Sequence, residues 1–211
     1  MSSNRMMRFL GPFEYELSPS CQLRLALGDI THFQGDAIVN SAHRCLLGGG
    51  GVDGAIHRAA GPALLRYCRQ WKEVSAGVRC CTGDAKITPG FELPASYVIH
   101  TVGPVYKGDD KSASSMLRSC YMSSLKLAEE NEVKSIAFPS ISCGVFRYPL
   151  DKAAKIALQT CRDCCLHVAD TNTISVLRSI EFVLFEEKCM DAWIQAADAM
   201  LSPEASALDW P

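Results

Sequence analysis

Four consecutive glycines, Gly48 to Gly51, run directly into Val52-Asp53-Gly54-Ala55-Ile56-His57-Arg58-Ala59-Ala60-Gly61. Glycine has no side chain to bury, and ordering it costs more backbone entropy than ordering any other residue. A run of four therefore does not serve packing; it lets the main chain come close to another group. Leu46, Leu47, Val52 and Ile56 flank the run, which is not the polar setting of a flexible linker. The stretch from Asp53 to Ala60 reads as helix. A loose loop that enters a helix presents free N–H groups and the positive end of the helix dipole. Such a place suits an anion, most often a phosphate.

Two phosphate motifs can be tested. A Walker loop ends in Lys-Ser/Thr, where this chain has Val52-Asp53. Gly49 to Gly54 satisfies G-x-G-x-x-G, but a glycine tract does so almost automatically. The dinucleotide fingerprint also needs a strand immediately before it and an acid ending the next strand, about 20 residues on. Here the preceding strand-like run stops at Asn40, and Glu73 lies in a polar stretch from Gln70 to Gly77. A Rossmann dehydrogenase is rejected. Asp53 is the odd residue, because a carboxylate repels phosphate unless it has a task. It either caps the helix or holds a water or a sugar hydroxyl.

At 211 residues the chain suits one domain with a substantial core. A net charge of −2 argues against a large nucleic-acid footprint, yet permits a phosphorylated small ligand gripped by main-chain amides. No apolar run approaches membrane-spanning length. Eleven cysteines, an odd number without an obvious signal peptide, indicate free thiols in a reducing compartment. The expected location is the cytoplasm, with the nucleus open as well. Met1 to Phe13 contains Arg5 and Arg8 and no acid, a poor transit peptide read here as a disordered tail; a mitochondrial destination is left open.

Along the chain, Cys21–Leu27 reads as a strand and Gly28-Asp29-Ile30-Thr31 as a turn. Asp36–Asn40 is a short buried strand. Gly61-Pro62 ends one helix and starts another. Thr82–Thr88 is a connecting or edge strand, and Ser96–Val102 a buried strand. Lys111–Glu130 has helical spacing, Ser135–Phe138 is a strand stopped by Pro139, and Leu150–His167 is a long amphipathic helix. Ser179–Phe185 is the last strand and Cys189–Leu201 the last helix. The expected boundaries are an extension over 1–20, the domain over 21–202 and a frayed tail over 203–211.

Strands alternating with helices predict a three-layer α/β/α sandwich around a mostly parallel mixed sheet. Ligands of such folds sit beyond the carboxyl ends of the strands. The segments that follow the strands are polar, small or glycine-rich: Gly28-Asp29-Ile30, Asn40 with the glycine loop, and Pro139-Ser140-Ile141-Ser142-Cys143-Gly144-Val145-Phe146. Two small-residue loops at one rim suit a diphosphate. Val145 and Phe146 could cover a sugar, and Phe185 could face a flat base; plain core packing is the alternative for both aromatics. Asp29 could accept from an exocyclic amine, or form a turn or cap with Thr31.

These residues are recognisable together. Gly28 to Thr31, Asp36 to Asn40, Gly48 to Gly61, Thr82 to Thr88, Val98 to Pro104, and Ala137 to Gly144 with Pro149 resemble, in family order, the macrodomains and within them the MacroD-type branch. The resemblance covers most of Leu23 to Phe185. It implies an α/β/α fold that binds ADP-ribose without a cofactor or metal. Asp29, with Ile30 beside it, would take the adenine amine, and Phe185 matches an aromatic near the adenine. The loops Gly48–Val52 (with Gly49, Gly50 and Gly51) and Ser140–Phe146 (with Ser142, Cys143, Gly144 and Val145) would hold the diphosphate and distal ribose. Asn40 would bond that ribose and Asp53 would act at its reacting end. Proteins of this branch remove ADP-ribose from acidic side chains and deacetylate O-acetyl-ADP-ribose. The implied partners are ADP-ribose, ADP-ribosylated proteins and O-acetyl-ADP-ribose, acting on a monomer, with neither nucleic acid nor membrane.

Two departures from the family pattern stand out. Asn40-Ser41-Ala42-His43 replaces Asn-Ala-Ala-Asn, so His43 occupies a position the family uses near the distal ribose. His43 keeps a donor and an acceptor but is bulkier and can ionise. It is therefore carried as a catalytic candidate, and it also keeps open a non-catalytic ADP-ribose reader. Arg147 replaces a favoured Gly and is expected to face solvent. Cys161-x-x-Cys164-Cys165-Leu166-His167 lacks a second pair at zinc spacing and is read as thiols on a helix. Cys143 is read as lining, and His57 and His100, in apolar patterns, as structural.

Overall fold

The computed structural model describes residues 12–108, 111–170 and 176–201. Residues 1–11 of the expected tail over Met1 to Phe13, and the expected tail over 203–211, lie outside these. Seven strands form one sheet: β1 (Phe13–Ser18), β2 (Cys21–Leu27), β3 (Ala37–Ser41), β4 (Ala85–Pro89), β5 (Tyr97–Thr101), β6 (Ser135–Phe138) and β7 (Ser179–Leu184). Their spatial order is β1-β2-β7-β6-β3-β5-β4. The five inner strands run parallel, and β1 and β4 close the two edges antiparallel. Helices α1 (Gly51–Ala59), α2 (Pro62–Cys68), α3 (Lys111–Glu130), α4 (Leu150–Asp170) and α5 (Glu187–Leu201) complete the fold.

Alternation along the inner strands divides the interior into two cores, because successive side chains point to opposite faces. Ala37 and Val39 join α3, α4 and α5, whereas Ile38 joins α1 and α2. Ile136 and Phe138 face the first core and Ala137 the second. Both faces of the parallel strands are thus covered, and β3 reads as nearly continuous apolar sequence. On α3, Ala113, Leu117, Cys120, Tyr121, Ser124, Leu125 and Ala128 recur every three or four residues and are buried. They give the helix a single inward stripe. An aromatic ladder anchors this side: Tyr121 to Phe138 at 5.3 Å, Phe138 stacked on Phe182 at 5.6 Å, and Phe182 to Trp193 at 5.9 Å.

The sheet reaches further toward the N-terminus than expected. Residues 13–18, assigned from sequence to an extension and in part to a tail, form β1. Phe13-Glu14-Tyr15-Glu16-Leu17 carries a period of two, with Phe13, Tyr15 and Leu17 on the core and Glu14 and Glu16 outward. Tyr15 also donates from its hydroxyl to Asp198 Oδ1 at 2.7 Å, tying this edge to α5. At the N-terminal ends of β3 and β6, Asp36 Oδ2 accepts from the main-chain N–H groups of Lys134 and Ser135 at 2.8 and 2.9 Å. That staple fixes the two neighbouring strands, and so the two loops at their far ends.

Phe182 is fully buried, and Phe185, three residues later, is 79% exposed. Phe182→Ala is expected to destabilise the domain by about 3–5 kcal/mol, whereas Phe185→Ala should stay within about 0.5 kcal/mol of the parent. Guanidinium unfolding of both variants checks this; a large loss in Phe185→Ala would put that ring in the core.

Candidate functional site

Parallel pairing carries the segments after β2, β7, β6 and β3 to one rim, in that order. Asp29 follows β2, Phe185 follows β7, Ser140–Phe146 follows β6, and Asn40 with the glycine loop lies at the end of β3. From β2 to β3 is three strand spacings, roughly 14 Å. The rim is therefore a linear series of subsites suited to an elongated ligand.

At one end, Asp29 caps a 3-10 turn over Ile30–His32. Its Oδ1 accepts from the N–H and the hydroxyl of Thr31 at 2.9 and 2.8 Å. The Thr31 N–H holds its pKa below the usual carboxylate value. The cap uses only one oxygen, leaving Oδ2 without a hydrogen bond among the described residues; capping and amine recognition are compatible. Ile30 is buried beneath it. Phe185 projects from the neighbouring strand end and takes no part in the core.

In the middle, α1 begins at Gly51, two residues before the expected start, and Gly50 is its cap without any side-chain hydrogen bond. Asp53 therefore sits inside the first turn and does not cap the helix. Gly51 has φ +59, a left-handed conformation that suits glycine. A Cβ on Gly54 would lie 2.4 Å from the Gly49 carbonyl oxygen, so that close approach also demands glycine. The main-chain N–H groups of Gly49, Gly50, Gly51 and Val52 make no hydrogen bond among the described residues. Nor do those of Gly144, Val145 and Phe146 in the neighbouring loop.

That second loop is tied down elsewhere. Tyr148 N–H donates to Ser142 O at 3.0 Å, Arg147 N–H to Gly144 O at 2.9 Å, and Tyr106 N–H to Phe146 O at 2.9 Å. Ser140 and Phe146 are half-buried, and Val145 is 86% exposed. Cys143 is half-buried, and burial pushes its thiol up to about 12, which suits a lining residue and not a nucleophile. Arg147 is exposed with φ +56. The left-handed backbone accounts for a preference for Gly there.

At the other end the carboxylate of Asp53 is 3% exposed and turned back toward β3. Its Oδ1 accepts from Asn40 Nδ2 at 2.8 Å, and its Oδ2 accepts from the main-chain N–H of His43 at 3.1 Å. His57, one turn along α1, brings Nε2 to 3.6 Å from Asp53 Oδ1. Burial lowers the His57 pKa and Asp53 opposes that shift. The His43 ring itself is exposed and meets Cys45, with Nδ1 2.9 Å from Sγ. Thus the main chain of His43, and not its ring, supports Asp53. Three buried polar atoms at this rim, Asn40 Oδ1, His57 Nε2 and Ser142 Oγ, have no hydrogen-bond partner among the described residues.

His57 and His100 were assigned from sequence to structural positions, yet both reach this cluster. Asn40 Nδ2 lies 3.1 Å from His100 Nδ1, and His100 Nε2 lies 3.1 Å from Thr88 Oγ1. The one sequence signal for His100 is a histidine on a strand that ends beside Asn40, and for His57 its place one helical turn after Asp53. Among the described residues no group of three or more His, Cys, Asp or Glu could hold a metal ion. Cys161 and Cys165 are buried on α4, and the side chain of His167 lies outside the described residues. All eleven cysteines are free, and no helix among the described residues is long and apolar enough to cross a membrane.

The Macro domain family model matches residues 39–157. A Macro domain-containing protein of Xanthomonas campestris is 49% identical over 169 residues, 80% of this chain and 91% of that protein. The human ADP-ribose glycohydrolase MACROD2 is 47% identical over 171 residues, 79% of this chain and 39% of its own length. Among solved structures, the Oceanobacillus iheyensis macrodomain with ADP superposes with a TM-score of 0.82 at 37% identity, covering 90% of this chain and 96% of that one. The Trypanosoma brucei macrodomain in complex with ADP-ribose gives 0.71 at 42% identity, covering 83% and 68%.

Two outcomes follow from this geometry. Gly54→Ala is expected to displace the Gly49 carbonyl and, with it, the run of unpaired amides, and so to weaken uptake of a diphosphate ligand at least about tenfold. Gly50→Ala, whose Cβ would meet open space, should change it by less than about threefold; calorimetry separates the two. His100 is buried, and burial together with His57 lowers its pKa from 6.5 to about 3. The native state thus excludes a proton that the unfolded chain binds, so stability is complete above pH 6.5 and falls as pH drops toward 3. The expected slope is up to about 1.4 kcal/mol per pH unit for that proton. Denaturant unfolding between pH 7 and 5 should show it, and His100→Leu should flatten it.

Proposed function

The chain belongs to the Macro domain family, on its MacroD-type branch, and from that premise we propose that it is a hydrolase of ADP-ribosyl esters. Its substrates are proteins carrying mono-ADP-ribose on acidic side chains, and O-acetyl-ADP-ribose. The adenine lies between Asp29, Ile30 and Phe185. The diphosphate lies against the unpaired amides of Gly49–Val52 and Gly144–Phe146, and the distal ribose reaches Asn40 and Asp53. Main-chain amides at a helix start can carry that charge without a cationic side chain, in keeping with a net charge of −2. The ligands named for the Oceanobacillus and Trypanosoma macrodomains, ADP and ADP-ribose, support this reading.

The observation that carries it is the Asp53 carboxylate, buried and held on one oxygen by Asn40 and on the other by His43 N–H. A water held between this carboxylate and the diphosphate is placed to attack the ester linkage of the distal sugar. Asp53 orients that water and takes its proton as the new C–O bond forms. The bond between the sugar and the acyl group then breaks, and the departing oxygen is protonated. Positioning and general-base assistance together can supply several orders of magnitude in rate. Hydroxyls of the ligand supply donors for the buried Asn40 Oδ1 and an unpaired partner for Ser142 Oγ.

A second reading is a reader that binds ADP-ribose without turnover. It draws on the His43 ring, which is turned to Cys45 where the family pattern has an Asn amide. Incubation with a glutamate-linked ADP-ribosylated substrate tests the choice. Asp53→Ala should reduce release at least about 100-fold, while ADP-ribose affinity falls by less than about tenfold. Tight binding by the parent protein without any release would favour the reader.

A further inference from the structure

Behind Asp53, a line of buried polar groups crosses three adjacent strands. Asn40 on β3, His100 on β5 and Thr88 on β4 are all at most 1% exposed. Asn40 stands directly opposite His100 in the β3–β5 register. Their proton positions follow from chemistry. Asp53 Oδ1 only accepts, so the Asn40 group 2.8 Å away is its NH2. The second hydrogen of that NH2 points to His100 Nδ1 at 3.1 Å, so Nδ1 accepts. The ring proton then sits on Nε2 and is donated to Thr88 Oγ1 at 3.1 Å. The Thr88 hydroxyl passes its own hydrogen to Val98 O at 3.4 Å. Each link admits one direction only.

We propose that His100 and Thr88 are positioning residues for the hydrolysis assigned above: they fix the tautomer that holds the Asn40 amide, and through it the rotamer of the Asp53 carboxylate. The inference rests on that functional reading for its catalytic consequence, but not for its geometry. An apolar residue at position 100 would satisfy the packing against Trp71 and His57, whose rings lie 6.2 Å away. It would leave the second Asn40 hydrogen unpaired and the amide free to turn its oxygen toward Asp53. A charged ring would set Nδ1–H against the Asn40 NH2, so the line works only with neutral His100. Two titratable groups face His100: His57 from α1, which disfavours that charge, and Lys86, opposite it in the β4–β5 register with Nζ over the Trp71 ring. Thr88, on the edge strand far from the rim, ends the line: its hydroxyl donates to Val98 O and takes the Nε2 proton of His100 as acceptor.

Two measurements test this. In the folded full-length protein, long-range proton–nitrogen correlation spectra should show His100 with unprotonated Nδ1 and protonated Nε2 across the neutral range. The opposite tautomer overturns the proposal without any variant. Thr88→Val keeps the shape and removes the acceptor. It leaves the buried Nε2 proton without an acceptor, so the ring and the Asn40 amide lose their fixed orientation, and the His100 ring nitrogen and Asp53 carboxyl carbon resonances should both shift. It should also lower kcat about tenfold while KM and ADP-ribose affinity stay within about twofold. Thr88→Ser should restore all of these. A Thr88→Val protein with parental kcat and an unmoved Asp53 resonance overturns the proposal, as does a Thr88→Ser protein impaired to the same degree. Should the parent protein release no ADP-ribose, the hydrolase reading fails, and the resonances of Asp53 and His100 alone decide the positioning role.

Discussion

The rim is organised by one buried carboxylate. A charged group taken from water must be given hydrogen bonds or it destabilises the fold. Asp53 receives one from a side chain at the end of β3 and one from the main chain three residues beyond Asn40. Both donors come from the segment that leads into the glycine loop. Satisfying Asp53 therefore docks the first turn of α1 onto the strand end and leaves the loop between them little freedom. The amides of Gly49–Val52 are left without a hydrogen bond among the described residues. Anion site and acid are two sides of one packing solution.

The second loop is fixed by different means. Gly103 meets Ser142 so closely that an added Cβ would lie 2.1 Å from its hydroxyl oxygen. Ser142 itself adopts φ +66. The loop after β6 is thus pressed against the strand end of β5 and forced into an unfavourable backbone region. Strain of this kind persists where the surroundings over-determine it and is frequent at ligand sites. With Asp36 stapling the opposite ends of β3 and β6, the two amide-bearing loops keep a fixed separation.

Much of this was legible in the chain. The α3 helix was readable end to end because its apolar residues recur at helical spacing with polar residues between them. The parallel inner strands were readable from short apolar runs bounded by small-residue loops. The β1 strand was missed although Phe13 to Leu17 alternate cleanly, because two arginines and the absence of acids upstream drew the boundary past it. In the site, the gathering of Asp29, Asn40, Asp53 and both loops at one rim could be read from residue types and family order. The parts that stayed hidden depend on register. Nothing in the spacing of His100 says that it stands opposite Asn40, and nothing in His43 says that its amide, not its imidazole, would face the acid. Pairing between strands separated by 60 residues is set by how the whole sheet assembles.

The linear order of the rim has a consequence for the chain's own cohesion. Its stations belong to β2, β7, β6 and β3, which are neighbours in space but lie far apart along the polypeptide, from Asp29 to Phe185. An occupant stretched along them acts as a cross-brace, resisting the partial openings by which strand ends fray. Because it binds only the assembled form, its free concentration becomes a thermodynamic variable of folding. Such a protein would be sturdier, and slower to be degraded, in a compartment rich in its ligand than in one depleted of it.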